Sequence, residues 1–322
     1  MSASRGMPRC PLCDLDCPVS FVARDLNRRV SRQDFPYHRC GRCGLIFLAE
    51  PPGDLGSHYP PGYVTLPRSD AHLQHIARRA RYQIEMVRRF VTRGRLLEIG
   101  PGYGSFSWLA KSAGFDVEAI ESDVAACEYL AHQIGVKVTK SAAPEQLLAS
   151  RTTAYDAVVM WHVIEHLPDP WATLQQAARL LNAGGIILVA TPNPSAWQFR
   201  VLGRQWPHID APRHLWLIPL DVLRRYLEPL GFELTFVTTN DPGAENWNRF
   251  GWSQTIVNLQ PAVLRNSLLV KVASRVLGHA AAFAVKPWER ADLQGSAYSA
   301  VFRKRVTAER SGGGRPVSAA ED

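Results

Sequence analysis

Leu96-Leu97-Glu98-Ile99-Gly100-Pro101-Gly102-Tyr103-Gly104-Ser105-Phe106 decides how the rest of this chain is read. The short apolar run Leu96 to Ile99 has the length and composition of a buried strand. Three glycines at alternate positions follow. A helix then begins near Ser105, with Phe106, Leu109 and Ala110 on its inner face. Strand, glycine loop and helix form the opening unit of a doubly wound α/β sheet, where ligands bind beyond the carboxyl ends of the strands. Glycine lets the backbone turn sharply and approach a ligand with no Cβ between them.

The residue order also separates cofactors. In the dinucleotide fingerprint G-x-G-x-x-G the third glycine would fall at Ser105. Here an acid leads, giving Glu98-x-Gly100-x-Gly102-x-Gly104. A carboxylate beside the loop repels a pyrophosphate. It suits the ammonium and sulfonium groups of S-adenosylmethionine (SAM). The next strand, Asp116 to Ile120, ends in Glu121. A carboxylate at that tip can accept both ribose hydroxyls; Asp123 is the second candidate.

Further along, Tyr155 to Met160 reads as another strand, followed by Trp161-His162-Val163-Ile164-Glu165-His166-Leu167-Pro168. His162-x-x-Glu165-His166 matches an inverted zinc-protease pattern. That chemistry needs a long helix, whereas these residues follow a strand and stop at Pro168. After a strand at Gly185 to Ala190 comes Trp206-Pro207-His208-Ile209-Asp210-Ala211-Pro212-Arg213-His214-Leu215-Trp216. Polar residues among tryptophans and prolines suggest a lined pocket, with His208, Asp210, Arg213 and His214 as acceptor-site candidates. Histidine suits general-base work near neutral pH.

The last two strands are expected at Glu233 to Thr238 and Ala297 to Arg303. About 58 residues lie between them, beyond an ordinary loop. Leu264, Leu268, Val272 and Val276 fall at helical spacing there, with Arg265, Lys271 and Arg275 nearby. The insertion is open to three readings: a lid or helical pair packed on the core, a dimer contact, or an interfacial membrane-docking helix.

Near the N-terminus, Cys10-Pro11-Leu12-Cys13 and Cys40-Gly41-Arg42-Cys43 form two short-spaced pairs. Each tight turn can point two thiolates at one ion, and two turns complete a closed, structural Zn²⁺ site. A redox pair would instead open a helix of a thioredoxin-like domain. Cys17 is a possible fifth thiolate or a bystander, and Cys127 falls inside a helix.

The whole chain has 322 residues, 46% hydrophobic and 20% charged, as expected of a folded chain. Its formal charge of +8 allows an anionic partner without choosing one. Met1 to Cys10 contains no apolar core of a signal peptide. Leu264 to Val285 is interrupted by Arg265, Lys271 and Arg275, so no transmembrane span is expected. The expected location is the cytoplasm, with peripheral contact at the inner membrane face as the further reading. Pro51 to Pro67 reads as a linker. Ser69 to Arg93 reads as one capped helix with an apolar stripe through Leu73, Ile76, Ala80, Ile84 and Val87. Its arginine-rich face is either solvated or an RNA contact.

From Arg93 to Glu233 the chain resembles the class I SAM-dependent methyltransferases, especially the group of ubiquinone-biosynthesis O-methyltransferases and sugar-modifying enzymes. An N-terminal ribbon followed by a Tyr-Pro linker, here Tyr59-Pro60, is similar to an arrangement in that group. The resemblance implies a Rossmann-like α/β sheet of seven strands with the last one antiparallel. It implies that the turn after Tyr155 to Met160 closes over the cofactor and faces the acceptor. An Arg-His-Leu segment before a helix, here Asp221 to Leu230, and a following Gly231-Phe232 also match. The cofactor residues are then Glu98, Gly100, Gly102, Gly104, Glu121 and Trp161. The catalytic candidates are His162, Glu165, His166, His208 and His214, and Cys10, Cys13, Cys40 and Cys43 hold zinc. Some relatives hold a divalent cation with acids and a histidine in this turn; this chain has His162 where those have glutamate. The Asn/Asp-Pro-Pro-Tyr/Phe motif of many amino-methylating nucleic-acid enzymes is absent.

The expected function is methyl transfer from SAM to a small-molecule, sugar, glycan or lipid-linked acceptor, preferably at oxygen. RNA methylation, with the ribbon and the arginine-rich helix gripping RNA, is the alternative; a non-catalytic SAM-binding module is the third reading. The expected plan is a zinc-ribbon module at 1–50, a linker at 51–68, a methyltransferase domain at 69–305 with its insertion at about 240–296, and a flexible tail at 306–322.

Overall fold

The computed structural model describes residues 6–60, 62–265 and 267–306. Residues 1–5 lie outside the described residues, as does 307–322 of the tail expected to be flexible.

The chain opens with two cysteine turns and three antiparallel strands, β1 (Val19–Arg24), β2 (Asp34–Arg39) and β3 (Ile46–Leu48). The helix expected over Ser69 to Arg93 is instead two helices, α1 (Asp70–Arg79) and α2 (Arg81–Arg88). Ser69 caps the first, its hydroxyl accepting from the His72 N–H at 3.2 Å. Ala80 breaks the run: at φ −92° and ψ 4° its N–H is shared between the carbonyls of Ile76 and Ala77. Two short segments can each turn their buried residues, Leu73 and Ala77 on one and Ile84 and Val87 on the other, onto the same core.

An alternating α/β run follows: β4 (Gly94–Ile99), α3 (Ser105–Ser112), β5 (Phe115–Glu121), α4 (Val124–Tyr129), β6 (Lys137–Lys140), α5 (Pro144–Ala149), β7 (Tyr155–Trp161), α6 (Pro170–Leu180) and β8 (Leu181–Pro192). Next come α7 (Trp197–Leu202), β9 (Trp216–Leu217), α8 (Leu220–Leu227), β10 (Phe232–Thr238), α9 (Pro242–Leu259), α10 (Ala262–Arg265), α11 (Leu268–Arg290) and β11 (Ala297–Lys304). The large sheet has the order β10-β11-β8-β7-β4-β5-β6. Its inner pairs are parallel and β11 runs antiparallel to both neighbours. The central strands are buried on both faces, so they read as apolar runs rather than alternating ones. Within β4, Leu97 and Ile99 join one core layer and Leu96 joins the other with Phe106 and Ala110. The pleat therefore turns Glu98 toward α3, on the same side as Leu96.

The small sheet is completed from far along the chain. Its order is β1-β2-β3-β9, so residues 216–217 pair with Ile46 and Phe47. Phe35, Tyr37 and Leu48 share a core with Trp206, Ile209 and Leu217. The N-terminal segment thus packs as one body with residues 196–217.

The insertion is a helical pair. Gly278 of α11 lies so close to α9 that a Cβ there would stand 2.5 Å from the Ser253 backbone. α11 opens a helix (Leu268–Leu293) that is long and apolar enough to cross a membrane by length and composition, with mean hydropathy 1.5 and 17% of its window buried. Of the charges noted in the sequence, Arg265 sits in α10, and Lys271 and Arg275 lie on α11.

Candidate active site

Gly100, Gly102 and Gly104 all have positive φ, at 71°, 56° and 72°. Their surroundings differ. A Cβ on Gly100 would stand 2.4 Å from a Val163 methyl, and one on Gly104 would strike Ile134 and Leu130. A Cβ on Gly102 would meet nothing within 4 Å. The loop is thus braced at both ends and faces open space in the middle, as a ligand cradle requires.

Glu121 ties this loop to the next one. Its Oε2 accepts from the Gly102 N–H at 2.9 Å, and its Oε1 accepts from the N–H groups of Ser122 and Asp123. Asp123, the second ribose candidate, caps α4 by accepting from Ala126. Glu98 is 2% exposed and accepts a hydrogen bond from the Ser107 hydroxyl on α3. Burial pushes its carboxyl up to about 8, against the opposing effect of Ser107. Trp161 packs on Phe106, with ring centroids 5.7 Å apart, and its buried Nε1 has no hydrogen-bond partner among the described residues.

The turn after β7 is held against the glycine loop by the Gly100–Val163 contact. In it, His162 takes a left-handed backbone (φ 56°) and stacks on Trp247 of α9 at 4.2 Å. Glu165 is fully buried. Its Oε2 accepts from the Thr191 hydroxyl at 2.9 Å, while Oε1 has no hydrogen-bond partner among the described residues and lies 3.7 Å from His162 Nδ1. Burial alone would raise the Glu165 carboxyl; His162, His214 and His166 outweigh it and hold it below the usual range.

Two histidines face that carboxylate. His166 Nδ1 contacts the Arg213 carbonyl at 3.0 Å and the Tyr59 hydroxyl at 3.1 Å. Burial and His214 push it down to about 4. His214 Nδ1 contacts the His208 carbonyl at 2.8 Å. A carbonyl only accepts, so each Nδ1 carries a proton there, and in the neutral ring that leaves Nε2 as the acceptor. The His166 and His214 rings meet edge to face at 4.6 Å. Ligand atoms of Glu165, His166 and His214 lie within 4.8 Å of one another.

His208 stands behind this cluster. It is fully buried, its Nε2 contacts the Trp247 carbonyl at 3.0 Å, and its Nδ1 has no partner. Burial pushes its pKa down to about 3, so it is neutral. Asp210 and Arg213, grouped with it in the sequence reading, have another setting. Arg213 is fully buried and donates to Asp210, to Asp25 of the N-terminal segment and to the His58 carbonyl. Those bonds consume its donors and join two parts of the chain.

Sequence reasoning missed Trp247, Tyr59 and Thr191. Trp247 stacks on His162 and also meets His208 at 4.6 Å. No motif marks it, because it arrives from an insertion whose register only packing sets.

Away from this site, ligand atoms of Cys10, Cys13, Cys40 and Cys43 lie within 4.8 Å of one another. Burial opposes a thiolate at Cys40, but the Cys43 and Arg42 N–H groups and neighbouring thiols outweigh it and bring it down to about 6. Four converging sulfurs with backbone donors suit a tetrahedral Zn²⁺. Cys17 is fully buried beside them, its thiol directed at the Leu15 carbonyl.

The strand order, the antiparallel β11 and the acid-led glycine loop together define the class I SAM-dependent methyltransferase fold. The family described as "Methyltransferase domain" matches residues 71–236, and the chain belongs to it. The chain is 32% identical over 183 residues to a ubiquinone biosynthesis O-methyltransferase of Caulobacter vibrioides, covering 53% of this chain and 72% of that one. It is 32% identical over 167 residues to one from Caulobacter sp. (strain K31), covering 48% and 66%. Among solved structures it is similar to a SAM dependent methyltransferase from Archaeoglobus fulgidus, at 20% identity and TM-score 0.48, covering 72% of this chain and 94% of that one.

Proposed function

We propose that the chain moves a methyl group from SAM to a hydroxyl of a small-molecule, sugar or lipid-linked acceptor. The observation that carries this reading is the convergence of Glu165, His166 and His214 on a turn packed against the glycine loop. SAM would lie over Gly102, with Glu121 toward the ribose and Glu98 toward the ammonium group. Methyl transfer is an in-line displacement, so the protein mainly aligns the two reactants. As the acceptor oxygen bonds to the methyl carbon, the C–S bond breaks and its electrons stay on sulfur. His214 Nε2 takes the hydroxyl proton, and the Glu165 carboxylate stabilises the imidazolium that forms.

Glu165, His166 and His214 are also a fit donor set for a divalent cation: one carboxylate with an oxygen unpartnered among the described residues and two imidazoles, their ligand atoms within 4.8 Å of one another. Such a cation would polarise the acceptor oxygen. The two readings compete for His214 Nε2. Turnover that persists in a chelator favours the base.

The four-cysteine cluster is read as structural zinc, and the six unpaired cysteines suit a reducing compartment such as the cytoplasm. The outward side of α11, with Leu269 81% and Phe283 80% exposed, supports peripheral contact with a membrane. To test the function, methyl-labelled SAM is incubated with the protein and fractionated cell extract. Label in the small-molecule or lipid fraction supports the reading; label in an RNase-sensitive polymer sinks it.

A further inference from the structure

Two cavities of about 470 and 540 Å³ lie side by side along the helical pair and share Phe250, Ser253 and Arg275. Their walls are cationic. Arg79, Arg249 and His279 line the first; Arg28, Arg29, Arg265 and Lys271 line the second. Among the described residues, Arg28, Arg29, Arg79, Arg265, Lys271 and Arg275 form no ion pair with a carboxylate. Asp25, which acts on Arg29 from a distance, is committed to Arg213. Several side chains are held without being neutralised. Arg28 lies 5.2 Å over the Tyr63 ring, Arg29 donates to Asn258 at 3.3 Å, and Arg265 donates to the Gln260 carbonyl.

Like charges gathered in one recess repel one another, and the cost is offset when a compact polyanion sits among them. Arginine forks match the oxygens of phosphate in pairs. The groove also has a direction. The Phe250 ring lies 5.5 Å from His208 and 6.4 Å from Trp247, which stacks on His162. The junction of the two cavities therefore borders His208, which stands behind the histidine cluster. Two half-open recesses of this size match a small anionic group.

We propose that this groove, formed by α1, α9–α11 and the turn after β1, binds a diphosphate group; that the diphosphate belongs to the methyl acceptor rests on the methyltransferase reading. It can come from a nucleotide-linked or a lipid-linked molecule. The exposed Leu268, Leu269, Val272 and Val276 beside Lys271 and Arg275 would lie along the chain of the second.

The test is calorimetric titration of the full chain with sodium pyrophosphate, with uridine diphosphate, and with phosphatidylcholine vesicles carrying geranylgeranyl diphosphate. SAM-induced thermal stabilisation is followed in parallel. Pyrophosphate is expected to bind, to weaken with rising salt, and to lose about tenfold or more of its affinity in Arg275→Glu and Lys271→Glu. SAM stabilisation should be unchanged in both variants. Preference for uridine diphosphate assigns a nucleotide-linked source, and preference for the vesicles a lipid-linked one; both uphold the groove. Absence of pyrophosphate binding, undiminished binding in Arg275→Glu, or displacement by an RNA oligomer at equal phosphate concentration overturns it. Pyrophosphate binding without any response to SAM would leave the groove standing and sink the methyltransferase reading instead.

Discussion

Arg213 and Asp25 meet at 2.7 Å with both side chains fully buried, although 188 residues separate them in the sequence. Asp25 also accepts from the Arg28 and Val30 N–H groups, and Arg213 also holds Asp210 and the His58 carbonyl. Every donor in the pair is matched, so the ions tolerate burial. The same clamp sets the backbone from which the Arg213 carbonyl receives His166.

Removing one partner leaves the other charge buried and alone. Arg213→Leu is expected to cost about 3–5 kcal/mol and to lower the melting temperature by roughly 10 °C for a chain of this size. Thermal unfolding measures it. A loss under about 1 kcal/mol would show that the pair is not closed in solution.

Gly100 and Gly102 separate folding from binding. Gly102→Val places methyls in open space at a positive φ, so the fold is kept with modest strain while the cofactor cradle is filled. Stabilisation by SAM should vanish. Gly100→Val drives into Val163 and should unfold the protein at lower temperature even without SAM. Equal behaviour of the two variants would contradict the placement of the ligand.

On the proposed placement of SAM, Glu98 would link its binding to protons. Its carboxyl is pushed up to about 8 from an ordinary 4.5, so the protonated form is favoured in the cofactor-free fold. That contribution to stability is complete below pH 4.5 and is lost as pH rises through 8. The ammonium of SAM favours the carboxylate and expels the proton. SAM affinity should therefore rise toward pH 8, by up to about tenfold per pH unit, and Glu98→Gln should flatten the profile. A flat wild-type profile would remove Glu98 from the cofactor site.

His214→Asn can keep a donor to the His208 carbonyl while removing the Nε2 lone pair. Turnover is expected to fall by about 10²–10⁴ with the SAM dissociation constant unchanged. An unaffected kcat would show that another group takes the proton.

Chelation should act on the N-terminal cysteines. Cys40→Ser, or exhaustive treatment with a zinc chelator, is expected to lower the melting temperature and expose the core shared with Trp206, read by tryptophan fluorescence. Metal analysis returning less than half an equivalent of zinc per chain would count against the site.

The glycine loop was legible because turn chemistry is local: three positive-φ positions in five residues need glycine wherever they occur. The seven strands with an antiparallel last one followed from the family resemblance, while their order in the sheet came from the structure. The cysteine pairs were legible because a tight turn alone brings two sulfurs together. Within the turn after β7, Glu165 and His166 could be named, but not the Oε1 left unpartnered among the described residues, which depends on what packs behind it.

What sequence determined by itself, then, was the local geometry: where strands end, where the backbone must be bare, and which residues come in pairs. Tertiary structure alone decided the partners. It turned Asp210 and Arg213 from pocket candidates into a clamp on Asp25. It closed the small sheet with Trp216 and Leu217, and it laid Trp247 against His162. The physical reason is that a buried charge or an aromatic face is satisfied by whatever reaches it through space, and periodicity along the chain carries no record of that distance.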